Sequence, residues 1–153
     1  MDIKLFVKRF QKRPVVHFEN KVLKKPLISV CIITFQHKKY IVECLDSILR
    51  QNTIYSYEIL LFEDESTDGT REVCKKYAKN NPKKIRLFLN KRENNIKING
   101  VETGRFGIIY NLLNANGKYI AFCEGDDYWI DDFKLNKQAE ILEKYKKDVI
   151  LSN

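Results

Sequence analysis

The chain has 153 residues, 44% apolar and 31% charged, with a formal net charge of +8. That length allows one domain with a real core, and the balance of residue types is that of a globular protein, not a disordered or fibrous one. No run of 18 apolar residues exists to cross a membrane, and Leu5-Phe6-Val7 is too short for the apolar centre of a signal peptide.

The charge is uneven. Residues 1–26 carry eight Lys or Arg against two acids, whereas the other 127 carry 20 against 18. The basicity belongs to a leader and not to the domain, which argues against a nucleic-acid-binding face and against nucleic acid as a partner. Cys31, Cys44, Cys74 and Cys123 make no C-x-x-C pair, and His17 and His37 lie far apart, so zinc-ligand spacing is absent. Cys31 and Cys123 fall inside apolar strand patterns and read as core thiols. A reducing, cytoplasmic setting fits them.

In chain order, residues 1–13 place Ile3, Phe6, Val7 and Phe10 at helical spacing with basic residues around the rest of the wheel. Such a helix either lies on an anionic membrane surface or packs on the domain. Pro14 ends it, and residues 15–26 read as a basic connector with a short strand. Residues 27–34 are continuous, β-branched and apolar, as a strand buried on both faces requires. After the polar break Phe35-Gln36-His37-Lys38, a helical pattern runs through Tyr40, Ile41, Cys44, Leu45, Ile48 and Leu49. Residues 57–62 form the next strand, which runs into the polar turn 63–70. A helix is expected over 71–79, stopped near Pro82, and a third strand over 85–89.

Residues 90–103 are polar and basic without a clear period and read as a loop, long for a compact domain. A helix is expected over 104–114. Lys118 to Cys123 reads as a buried strand, 133–147 as a long helix, and Val149-Ile150-Leu151 as the start of a further strand. Strands and helices alternating in this way signal a parallel sheet. Neither G-x-G-x-x-G nor G-x-x-x-x-G-K-[ST] occurs, so a nucleotide must be held by other means.

Between that last strand and helix, Glu124, Asp126, Asp127, Asp131 and Asp132 place five carboxylates within nine positions of a basic chain. Glu124 and Asp126 are two apart and share a side in extended backbone. Crowded hard-oxygen groups suit Mg²⁺ or Mn²⁺, although an acidic turn with Asp131 or Asp132 as helix cap has the same composition. In a parallel sheet, the segments after residues 34, 62 and 123 share one rim. There Phe35 could stack on a base, Asp64 accept from a base N–H, and Glu124, Asp126 and Asp127 hold a divalent ion against a diphosphate. Asp68 reads as a cap, Tyr128 and Trp129 as packing residues, and His37 as an exposed loop residue.

Three blocks carry a resemblance: Ile-Ser-Val-Cys-Ile-Ile-Thr-Phe-Gln-His at 28–37, Glu-Ile-Leu-Leu-Phe-Glu-Asp-Glu-Ser-Thr-Asp-Gly-Thr at 58–70, and Gly-Lys-Tyr-Ile-Ala-Phe-Cys-Glu-Gly-Asp-Asp-Tyr-Trp at 117–129. From about Pro26 onward the chain resembles family 2 glycosyltransferases of the GT-A fold. The resemblance implies an α/β fold with an open, mostly parallel sheet flanked by helices, stopping after the metal motif. It divides the chain into a leader at 1–26 and a nucleotide-sugar-binding half at 27–153.

It also implies transfer of a sugar from a nucleotide-sugar, usually a UDP-sugar, to a saccharide or lipid-linked acceptor in polysaccharide biosynthesis, with a divalent metal ion. On that resemblance Ile33, Phe35, Asp64, Arg105 and Glu124 bind the donor, and Asp126 and Asp127 bind the metal. Glu124-Gly125-Asp126-Asp127 stands for Asp-x-Asp-Asp with Glu in first place, and Glu63-Asp64-Glu65-Ser66 for Asp-Asp-x-Ser. No residue takes the role of catalytic base, which is expected beyond Asn153. A nucleotidyltransferase on the same sheet and a non-catalytic, membrane-associated binding module are the alternatives. The first would call for a Gly-rich loop where Phe35-Gln36-His37-Lys38 stands.

Overall fold

The structure, a computed structural model, describes residues 2–145. Four parallel strands form its centre: β2 (Ile28–Thr34), β3 (Tyr57–Glu63), β4 (Ile85–Leu89) and β7 (Tyr119–Glu124). A short strand, β1 (Val16–His17), pairs antiparallel with β4, giving the order β1-β4-β3-β2-β7. The strand expected at Val149 to Leu151 lies outside the described residues.

The alternation of side chains along each strand separates two cores. Val30, Ile32, Ile59, Leu61, Ile85 and Leu87 face one side, under α2 (Ile41–Leu49), α3 (Thr70–Asn80) and α5 (Lys134–Tyr145). Cys31, Leu60, Phe62 and Phe88 face the other, under α1 (Ile3–Phe10) and α4 (Arg105–Asn114). Burial on both faces is why β2 and β3 read as unbroken apolar runs. The fully buried Glu58 in this sandwich is paired, accepting from the Ser29 hydroxyl at 2.7 Å and from Arg86 at 3.0 Å.

Two expectations change here. The leader is no separate piece, because Phe6 of α1 is fully buried with its ring 5.1 Å from that of Phe106, and β1 extends the sheet. The apolar stripe of α1 is thus spent on the domain, with Lys4, Lys8 and Arg9 left outward. The run at β7 is an edge strand among the described residues, and Ile120 and Phe122 on its α4 side are exposed, not buried. The α5 side of the strand, carrying Cys123, is covered as expected.

The loop expected at 90–103 holds a 3₁₀ turn (Arg92–Asn94) and a hairpin of β5 (Lys97–Ile98) and β6 (Val101–Glu102). Asn99 and Gly100 both take positive φ, 51° and 80°. Asn-Gly between apolar residues is the sequence signature of that turn, and it marks a hairpin which periodicity misses in strands only two residues long.

Candidate functional site

Strand order reverses direction at β2, with β3 and β4 to one side and β7 to the other. Open α/β sheets receive ligands in the crevice above the carboxyl ends of the strands at such a reversal, here β2 and β7. The chain leaves β2 through Phe35 and turns at Gln36, which has φ 56°. Gln36 is held there by its side chain, which accepts from the amides of Thr67 and Asp68 and donates to the Thr67 hydroxyl. Across the crevice, the Gly125 amide donates to the Ile33 carbonyl at 2.9 Å. A Cβ on Gly125 would lie 2.6 Å from Thr34 Oγ1 and 2.8 Å from His37 Nδ1, so the turn closes this tightly only with glycine. These two atoms are buried without a hydrogen-bond partner among the described residues. His37 is half-buried, not the exposed loop residue expected, because the acidic turn covers it.

At the β3 end, Asp64 is 4% exposed and is not a helix cap. Its Oδ1 accepts from Asn90 at 2.7 Å, and its Oδ2 accepts from Asn95 at 2.7 Å and from Arg92 at 2.9 Å. Burial holds the Asp64 carboxyl above its ordinary range, while the Asn95 and Asn90 hydrogen bonds and the Arg92 charge pull the other way. The Arg92 guanidinium lies 3.7 Å from the centre of the half-buried Phe35 ring. Its other arm donates to Glu102 on the hairpin at 2.6 Å. Phe35 and Asp64 are thus brought together, linked by a residue that sequence reading left in an unassigned loop. Asn90, Asn94 and Asn95, three buried amides within six positions, were the available signal. Asp68 behaves as expected, accepting from the Thr70 amide and hydroxyl at the start of α3.

The five acids from the end of β7 onward divide into two sets. Asp131 caps the next turn through the Phe133 amide and pairs with Lys137, and Asp132 pairs with Arg50. Residues at the end of α2 grip this part: Ser47 accepts from the Trp129 amide, Arg50 donates to the Trp129 carbonyl, and Gln51 bonds Asp131 and Leu135. Trp129 is 5% exposed and belongs to the core.

Glu124, Asp126 and Asp127 are exposed. Neither Glu124 nor Asp127 has a side-chain partner among the described residues, and Asp126 approaches only His37, at 3.8 Å. No group of three or more acid, His or Cys side chains is drawn together tightly enough to enclose a metal ion among the described residues. The donor set still fits a hard cation held from one side. Asp126 and Asp127 present exposed carboxylates without a hydrogen-bond partner among the described residues, and Mg²⁺ and Mn²⁺ take their remaining oxygens from phosphate and water.

Arg105 is the first residue of α4 and is exposed. A Cβ placed on Gly104 before it would meet the Ile33 side chain at 4.0 Å, so the amino end of α4 opens at the same rim. That end has no side-chain cap and no acid in its first turn, a setting favourable to an anion. A concavity of about 380 Å³ lies on the other flank of the acidic turn and is lined by Tyr128, Trp129, Ile130, Asp131 and α5 residues. It is remote in chemistry from the Asp64 end, and carries no charged cluster beyond Asp131, Lys134 and Lys137.

The family described as glycosyl transferase family 2 matches residues 29–153. A Bacillus subtilis protein named as the putative teichuronic acid biosynthesis glycosyltransferase TuaG is 34% identical over 118 residues, covering 77% of this chain and 42% of the relative. The crystal structure of S. aureus TarS 1–349 in complex with UDP-GlcNAc superimposes with a TM-score of 0.61 at 26% identity, over 79% of this chain and 32% of that one. A mannosyltransferase from Pyrobaculum calidifontis, in complex with GDP-Man and Mn²⁺, shares the fold with a TM-score of 0.61 over 92% of this chain and 39% of its own, at 21% identity. The chain spans between 16% and 42% of the length of the curated relatives compared.

Proposed function

The chain belongs to glycosyl transferase family 2, and from that premise we propose that its crevice binds a UDP-sugar and presents it for transfer to a saccharide or lipid-linked acceptor. The observation that carries the reading is the convergence on one rim of Phe35 and Asp64, joined through Arg92, with the exposed acids that Gly125 ties to Ile33. An aromatic face and a buried carboxylate suit a uracil, which offers a plane and one imide N–H. TarS bound to UDP-GlcNAc supports uracil, and the name of TuaG supports an acceptor in cell-surface polysaccharide.

In this reading Asp64 accepts the base N–H, and Ile33 and Phe35 line the base. Glu124 lies toward the ribose, and the amino end of α4 with Arg105 faces the diphosphate. Asp126 and Asp127 would hold a divalent ion, whose charge, when bound, offsets that of the departing diphosphate. Transfer breaks the bond between the anomeric carbon and the diphosphate and forms one to an acceptor oxygen, whose proton passes to a base. No described residue is assigned that base. The nucleotidyltransferase alternative is not favoured, since the segment after β2 turns on Gln36 without a glycine.

Calorimetry with UDP and GDP, with and without Mn²⁺, tests the reading on the wild type and Asp126→Ala. UDP should bind more tightly with Mn²⁺ in the wild type and indifferently to Mn²⁺ in the variant. Equal or absent binding of both nucleotides with and without the ion would sink it.

A further inference from the structure

Resting on the donor-site reading above, we propose that Arg92 fills the base position of the free protein and is the group that an incoming base must displace. A guanidinium is planar, stacks on aromatic rings and donates in its own plane. Arg92 uses all three properties here, lying 3.7 Å from the Phe35 ring centre and donating to Asp64 Oδ2 at 2.9 Å. These are the two contacts that a uracil would make through its face and its imide. At 3.7 Å the ring and the guanidinium are already in van der Waals contact, so no second plane fits between them. Base and Arg92 cannot hold the site together.

The surroundings make the exchange feasible. If Arg92 leaves, Asp64 keeps the Asn90 and Asn95 donors, so the carboxylate is not stranded. Arg92 has an anchor in Glu102, at 2.6 Å, on the exposed hairpin. Beside it lies a polar cleft of about 340 Å³ lined by Lys12, Glu65, Glu93, Lys97 and Glu102. Its three acids already face Lys91, Arg13 and Lys97, so the displaced guanidinium would join an existing ion-pair network and keep its own Glu102 partner. The Arg92 backbone stays fixed meanwhile, since its amide donates to Glu65 at 2.9 Å. The apparent affinity for nucleotide is then lowered by the small fraction of molecules whose base position stands open.

UDP titrations in the presence of Mn²⁺, read by calorimetry on the full chain, test this with wild type, Arg92→Ala and Arg92→Lys. Arg92→Ala should bind UDP about tenfold more tightly than wild type, equivalent to about 1.4 kcal/mol. Arg92→Lys, whose ammonium has no plane to stack, should fall between them. If UDP binds the wild type and Arg92→Ala equally, or the variant more weakly, the displacement idea is overturned while the donor site stands. If UDP binds none of the three, both fail. The wild type gives an independent readout through the Arg92 Nε–Hε resonance in NMR. The Phe35 ring should shift it in the free protein, and saturating UDP should abolish that shift; an unmoved signal on saturation overturns the proposal.

Discussion

The Gly125 amide donates to the carbonyl of Ile33 at 2.9 Å, clamping the acidic turn onto the last residues of β2. Only hydrogen fits on the inner side of Gly125, because a methyl group would strike Thr34 and His37. Gly125→Ala should therefore push the turn away from β2. Overpacking of this kind costs about 1–3 kcal/mol, which should appear as a lower Tm. The effect of Mn²⁺ on UDP binding should weaken at the same time.

Titration of Asp64 has opposite effects on stability and binding. Burial raises its carboxyl above the ordinary 3.8, so the fold favours the protonated form. Its contribution to stability is present in acid and is lost as pH rises through the raised value. Acceptance of a base N–H needs the ionised form. UDP affinity should thus fall as pH drops through a value higher than that of an ordinary carboxylate, with Asn90, Asn95, Arg92 and Glu102 as the facing groups. Asp64→Asn should bind UDP at least about tenfold more weakly, in line with loss of a charge-assisted hydrogen bond, and should lower Tm, because the new NH2 group would face the buried donors of Asn90 or of Asn95 and Arg92. Calorimetry across pH and thermal melts check both arms.

The division of the acidic run predicts two classes of variant. Asp126→Ala and Asp127→Ala should remove the Mn²⁺ dependence of UDP binding with little change in Tm, because the only contact of either carboxylate among the described residues is the 3.8 Å approach of the exposed Asp126 to His37. Asp131→Ala and Asp132→Ala should lower Tm and leave the Mn²⁺ effect intact, since they cap the Phe133 turn and pair with Arg50. Parallel melts and titrations of the four variants separate the classes.

Docking of α1 gives the largest predicted loss of stability. Phe6 is fully buried against Phe10 and Phe106. Phe6→Ala should cost about 3–5 kcal/mol, as for other buried aromatic truncations. That is a large share of the stability of a domain this size, and a fall in the urea midpoint at unchanged slope would measure it. A leader that only frayed or lay on a membrane would leave the midpoint where it was.

How much of this was legible beforehand differs between elements. β2, β3 and β4 were placed within a residue or so, because burial on both faces demands unbroken apolar runs. The helices after them followed from their period. Residues 90–103 were not legible, since strands of two residues carry no period and the Asn99-Gly100 turn was the only local mark. Nor was the exposed side of β7, as an apolar residue on an edge strand looks like one in the core.

The same division holds for the crevice. The order of residues along the chain set the strands, the shared rim and the candidates Phe35, Asp64, Asp126 and Asp127, because each follows from spacing along one backbone. That Asp132 is structural, and that Arg92 lies on Phe35 while bound to Asp64, depended on side chains 28 to 82 residues apart meeting in space. Such meetings are fixed by packing in three dimensions, and no local pattern records them.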